Sequence, residues 1–127
     1  MGLSELAVTP AIAVADIGTA REFYEGKLGL SNPEEQPDGG LTYPCAGGTS
    51  IHVYPSPENA GSSTATLAFW ETDDPEGVVD DLSAKGVTFE QYDVDPIRTD
   101  ERGIATMGSD RVAWFKDPDG NILAVGT

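Results

Sequence analysis

The stretch Ala113-Trp114-Phe115-Lys116-Asp117-Pro118-Asp119-Gly120-Asn121, followed by Ile122-Leu123-Ala124-Val125, decides how this chain is read. Pro118 fixes its own φ, and Asp-Gly and Gly-Asn tolerate positive φ, so Asp117 to Asn121 predicts a sharp turn. The apolar and β-branched residues on either side, Val112–Phe115 and Ile122–Val125, then pair as a hairpin.

Reading outward from that hairpin, Asp74-Pro75 has the form of a helix N-cap followed by a first helical proline. Val78, Val79 and Leu82 lie inside the helix it opens, Gly86 closes it, and Thr66 to Thr72 reads as the strand before it. Val87–Tyr92 and Ile104–Met107 supply two more strands ahead of the hairpin. The first half repeats the grammar. Residues 8–14 read as a strand through Val8, Ile12 and Val14. Asp16 caps a helix whose apolar stripe is Ala20, Phe23, Tyr24 and Leu28, and Gly29 ends it. Leu41–Cys45 and Ser50–Tyr54 follow as strands. The two caps are 58 residues apart, which predicts two tandem βαβββ modules forming a cleft within one α+β domain over residues 1–127. Module one covers about residues 5–55, a Pro- and Ser-containing linker about 56–63, and module two about 64–127. Two polar stretches, Asn32 to Gly40 and Asp93 to Arg102, predict loops over solvent or across the mouth of a site.

Composition narrows the function. Seven Lys and Arg against 22 Asp and Glu give a net charge of −15, which repels phosphate backbones and anionic lipid, so neither nucleic acid nor a membrane is an expected partner. The charge serves solubility and favours cationic ligands. Cys45 is the only cysteine, so no intrachain disulfide can form. No segment offers the ~18 consecutive apolar residues of a membrane span, and a cytoplasmic location is expected. The chain shows no Gly-rich phosphate loop, no Ser in a strand-turn-helix elbow, and no Cys-His pair with a recognisable orienting carboxylate.

Three groups of residues carry a family resemblance: Ala15-Asp16 leading to Phe23-Tyr24 and Leu28-Gly29-Leu30, Thr72-Asp73-Asp74 leading to Leu82 and Gly86-Val87, and the closing Phe115-Lys116-Asp117-Pro118-Asp119-Gly120-Asn121. Over nearly its whole length the chain resembles the vicinal oxygen chelate superfamily, which includes glyoxalase I, extradiol dioxygenases and bleomycin-resistance proteins. The resemblance implies a cleft with four metal-ligand positions, usually His, Glu or Gln. Here those positions hold Thr9, His52, Leu67 and Ala124. A catalytic divalent cation needs about three protein ligands to compete with water. The resemblance therefore implies a relative without the usual metal, and no cofactor is expected. Pairing of modules between chains, common among relatives, implies a homodimer.

Strand alternation extends the four positions to their neighbours on the same face. Ala11 follows Thr9, Ser50 and Tyr54 flank His52, Phe69 and Glu71 follow Leu67, and Ile122 precedes Ala124. With Trp114 as an aromatic surface, these form the expected ligand-binding set, while Trp70 turns toward the helix. His52, the only histidine, and Glu71 are the catalytic candidates; His52 can hydrogen-bond a ligand or act as a general base near neutral pH. The segment Arg98 to Gly108, with Arg98, Arg102 and Met107, is a candidate lid. The leading expectation is a metal-free protein that binds a small molecule, cationic or aromatic, and sequesters a drug or metabolite. The alternatives are a lyase, isomerase or dioxygenase-like enzyme working around His52, and a module with no ligand.

Overall fold

Asp16 stops the first strand and starts the first helix. Its Oδ2 accepts the Thr19 backbone N–H at 2.8 Å and the Thr19 hydroxyl at 2.9 Å, satisfying donors that a helix start leaves without partners. Those bonds, the backbone one first, hold the Asp16 carboxyl below its ordinary pKa. The computed structural model describes residues 2–127 and divides at Gly61/Ser62 into two units.

The first unit contains β1 (Ala11–Val14), α1 (Ile17–Tyr24), β2 (Glu34–Glu35), β3 (Leu41–Pro44) and β4 (Ser50–Pro55). Its sheet runs β1-β4-β3-β2, with β1 parallel to β4 and the other pairs antiparallel. Alternation sorts the side chains cleanly: Ile12, Val14, Leu41, Tyr43, Ile51 and Val53 are buried. They meet Ala20, Phe23 and Tyr24, the buried stripe of α1, and Tyr24 stacks on Tyr43 with ring centroids 6.5 Å apart. Each Ile, Val, Leu or Phe among them, taken out of water, stabilises the fold by ~1.5–3 kcal/mol before ordering entropy is subtracted.

The second unit repeats the plan with β5 (Thr66–Glu71), α2 (Pro75–Ala84), β6 (Asp93–Val94), β7 (Ile97–Arg98), β8 (Ile104–Met107), β9 (Asp110–Lys116) and β10 (Ile122–Gly126). Its sheet runs β5-β10-β9-β8, again with one parallel pair, β5 and β10. The order matches the first sheet strand for strand. Asp74 caps α2 by accepting the Gly77 N–H at 3.1 Å, with Pro75 at the first turn. A second apolar cluster, Ala105, Val112, Trp114, Ile122 and Ala124, lies on one face of this sheet, covered by Tyr92, Ile97 and Met107.

The β9–β10 hairpin is held by its own polar residues. Asp117 Oδ1 accepts the N–H groups of Asp119 and Asn121, each at 2.9 Å, and Oδ2 accepts the Asn121 side-chain amide at 2.8 Å. Both Asp117 and Asn121 are buried, and Gly120 takes φ +92°, where a side chain is disfavoured. The motif at the centre of the sequence reading is thus a structural clasp.

Several expectations are corrected. The first strand begins at Ala11, and Val8 is exposed outside it. Helix α1 ends at Tyr24; the following turn closes with the Leu28 N–H on Phe23 O, ahead of Gly29 at φ +78°. Val87–Tyr92 is no continuous strand, and Phe89 alone bridges to Phe115. The two expected loops contain β2 and the β6–β7 hairpin, where local pairing gives backbone groups partners that hydrophobic periodicity does not reveal. The candidate lid is anchored. Arg98 bonds Asp93 and Asp95, Arg102 bonds Asp80 and the Glu76 carbonyl, and Ile104–Met107 pairs with β9.

Candidate functional site

The face of the first sheet turned away from α1 carries Ala11, Thr42, Ser50, His52 and Tyr54, all exposed or half-buried. Their positions follow from alternation with the buried Ile12, Tyr43, Ile51 and Val53. Register aligns them laterally: Ala11 and Thr42 are both partners of His52, on β1 and β3 respectively. Thr9, just before β1, joins through a 3.1 Å hydrogen bond between its hydroxyl and that of Ser50. The Tyr54 ring lies nearly parallel to the imidazole, at 8° and 5.7 Å between centroids.

His52 is clamped at both nitrogens. Nδ1 lies 3.1 Å from Thr42 Oγ1, and Nε2 lies 2.8 Å from Asp38 Oδ2. Asp38 is aimed by its own turn, because its Oδ1 accepts the Gly40 N–H at 2.7 Å. The hydrogen bond from His52, followed by that from Gly40, holds the Asp38 carboxyl below its ordinary pKa, so it is a carboxylate at neutral pH. Being acceptor-only, it requires the hydrogen on Nε2; in the neutral ring Nδ1 then carries the lone pair, and the Thr42 hydroxyl donates into it. Gly40 makes the approach possible. A Cβ there would lie 2.5 Å from Val53 O, 2.9 Å from Asp38 Oδ1 and 3.0 Å from His52 Cε1.

Above this relay lies an open groove of about 510 Å³ lined by Thr9, Ala11, Gln36, Pro37, Asp38, Thr42 and His52. Its lining holds one carboxylate and one imidazole, with neither Lys nor Arg. Apolar walls with a few fixed polar groups are the usual makeup of small-molecule sites.

The candidates in the second unit are placed differently. Ala124, Ile122 and Trp114 are buried in the cluster beneath Tyr92, Ile97 and Met107. Ile122 and Trp114 also edge a smaller pocket of about 280 Å³ together with Thr64, Thr66, Tyr92, Val94 and Ile97. Phe69, the partner of Ala124 on β5, is 46% exposed. Leu67 is half-buried at the register shift between β5 and β10. Glu71 is exposed at the end of β5, beside Thr72, Asp73 and Thr127.

Sequence reasoning missed Asp38, Thr42, Gln36 and Pro37. Thr42 was within reach, since it alternates with Leu41 and Tyr43 on a predicted strand. Asp38 carried a weaker signal, the Asp-Gly-Gly turn entering that strand.

The four residues that the resemblance puts at ligand positions do not suit a divalent cation. Both His52 nitrogens are engaged, the Thr9 hydroxyl is bonded to Ser50, and Leu67 and Ala124 have no donor atoms. Among the described residues no group of three or more His, Cys, Asp or Glu is arranged to hold a metal ion.

Residues 6–125 match the sequence profile of the Glyoxalase/Bleomycin resistance protein/Dioxygenase superfamily. Comparison with curated proteins gives no match. Among solved structures, the chain is similar to UcmS2 at 18% identity and TM-score 0.71, covering 94% of this chain and 96% of that one. It is similar to TnmS3, an antibiotic binding protein from Streptomyces sp. CB03234, at 24% identity and TM-score 0.66, covering 94% and 92%. An integron cassette protein from the mobile metagenome of V. cholerae is 27% identical with TM-score 0.63, covering 95% and 93%. With the profile spanning all but the ends and the fold shared by each of these structures, the chain belongs to the glyoxalase/bleomycin resistance protein/dioxygenase superfamily.

Proposed function

We propose that this protein is a metal-free binding protein that sequesters a small molecule, a drug or a metabolite, in the groove over the helix-free face of its first sheet. The observation that carries this reading is the groove itself, about 510 Å³ with Thr9, Ala11 and a doubly hydrogen-bonded His52 in its lining. Ser50 and Tyr54 extend the ligand-binding set along β4, and Asp38 and Thr42 join it. Leu67 and Phe69 are the accessible candidates of the second unit. The family includes bleomycin-resistance proteins, and the name of TnmS3 describes antibiotic binding. The net charge of −15 and the Asp38 carboxylate favour a cationic ligand, and the Tyr54 ring favours an aromatic one. Homodimerisation belongs to the same proposal, and the support for it is the resemblance, since relatives commonly complete their cleft by pairing modules between chains. A second reading, an enzyme working around His52, is favoured by the relay that fixes the imidazole. Glu71 has no such support.

A thermal-shift screen of antibiotics and metabolites tests the first reading. A ligand at a hundred times its Kd stabilises the folded state by ~2.7 kcal/mol, and His52→Ala should weaken binding by ~0.5–1.5 kcal/mol, more for a charged ligand. A broad screen without a hit overturns the reading. Elemental analysis finding about one metal ion per chain, retained against chelation, overturns its metal-free part. Sedimentation of a monomer at tens of micromolar overturns the dimer.

A further inference from the structure

We propose that Thr42, His52 and Asp38 form a nucleophile, base and orienting carboxylate for acyl transfer, hydrolysing a carboxylic ester held in the groove of the first unit. The proposal rests on the reading of that groove as the ligand site and adds a reaction to it.

The geometry has the signature of an activated hydroxyl: nucleophile and base within hydrogen-bond reach, with the base oriented by a third group. Thr42 Oγ1 to His52 Nδ1 is 3.1 Å, His52 Nε2 to Asp38 Oδ2 is 2.8 Å, and a backbone N–H fixes the carboxylate in turn. The direction of the relay follows from the acceptor-only carboxylate, which leaves Nδ1 free to take the Thr42 proton. Packing does not demand this arrangement. The His52 side chain is 20% exposed and that of Asp38 48% exposed, so water can satisfy both, and a surface ion pair adds little stability. Yet Gly40 leaves the space that lets carboxylate and imidazole meet. All three groups line one groove, as does Gln36.

In the first step Thr42 Oγ1 bonds to the ester carbonyl carbon while its proton passes to His52 Nδ1, and the carbonyl π pair moves onto oxygen. Return of that pair breaks the bond to the alcohol oxygen, which leaves with the proton from Nδ1 and gives acyl-Thr42. Water then adds to the acyl carbon and gives a proton to Nδ1. Collapse releases the carboxylic acid, and the proton returns to Thr42 Oγ1. The sum is ester plus water giving acid plus alcohol, with no change of oxidation state.

The test treats the full folded chain with an alkyl fluorophosphonate probe, which loses fluoride when a nucleophilic hydroxyl bonds its phosphorus. Peptide mapping locates the adduct. The expected result is a single adduct on Thr42, absent in Thr42→Ala, restored in Thr42→Ser, and formed about 10²-fold more slowly or less in His52→Ala and Asp38→Asn. Circular dichroism checks that each variant is folded. His52 is the only histidine, so no other imidazole can supply a background. No adduct on the folded wild type overturns the proposal, as does an adduct on Ser50 or Thr9, or a labelling rate that Asp38→Asn and His52→Ala leave unchanged. The thermal-shift screen reads groove binding separately. A bound ligand without a Thr42 adduct therefore overturns acyl transfer alone.

Discussion

Replacing Asp117 by alanine should be among the most damaging single changes in the second unit. The carboxylate accepts three hydrogen bonds of 2.8–2.9 Å from Asp119 and Asn121. Bonds to a charged acceptor contribute ~1.5–3 kcal/mol each, so complete loss of all three would set an upper range of about 4.5–9 kcal/mol. Asp119 is only half-buried and its N–H can turn to water, whereas Asn121 is 2% exposed and its donors cannot follow. Discounting the first leaves an expected loss of ~3–5 kcal/mol. The chain has 127 residues, and with ~2.1 cal/mol/K of unfolding entropy per residue each kcal/mol lowers Tm by ~4 °C, giving a drop of about 11–19 °C. Urea denaturation by circular dichroism, with calorimetry alongside, measures both quantities. An unchanged m-value would assign the effect to the folded state. Asp117→Asn keeps one acceptor and should fall between wild type and alanine. A loss under ~1 kcal/mol for Asp117→Ala would refute the clasp.

Three further outcomes are expected. Asp74→Ala removes the cap on Gly77 and should cost ~0.5–2 kcal/mol without altering oligomeric state, as read by denaturation midpoint and sedimentation; an unmoved midpoint contradicts the cap. Gly40→Ala places a methyl against Val53 O and His52 Cε1 and should destabilise by ~1–3 kcal/mol while separating Asp38 from His52, which imidazole chemical shifts would report. The Asp38 carboxyl is held below its ordinary pKa first by His52, so it contributes stability above the unfolded value of ~3.9 and loses it as pH falls through the lower folded value. The stability difference between wild type and Asp38→Asn should thus shrink as pH falls through the folded value of the carboxyl; a difference that stays constant there would refute it.

The repeat was legible because both halves state it in residues whose physics is local. Asp16 and Asp74 accept amide hydrogens at helix starts as their spacing predicted, and the inward set of the first sheet, Ile12, Val14, Ile51 and Val53, follows from alternation alone. His52, Ser50 and Tyr54 were placed on the opposite face by the same rule. What escaped depends on pairs distant in sequence. Asp38 reaches His52 across 14 residues through a turn that needs two glycines. The β6–β7 hairpin has only two residues in each strand, too few to show a period. The burial of Trp114, Ile122 and Ala124 came from that same segment, because Tyr92 and Ile97 settle on a face that alternation could identify without saying what lies over it.

The covering of one sheet face and not its counterpart gives the two halves of the repeat unequal freedom to change. In the second unit a side chain such as Trp114 meets neighbours across its sheet face, so a replacement must preserve volume as well as polarity. In the first, Ser50 and Tyr54 are only half-buried, on the face opposite the buried Ile12, Ile51 and Val53. Substitutions there should therefore cost less folding stability than substitutions in the second unit's cluster. The first unit can thus change the polarity of this face with fewer compensating repairs than the second unit's cluster would require.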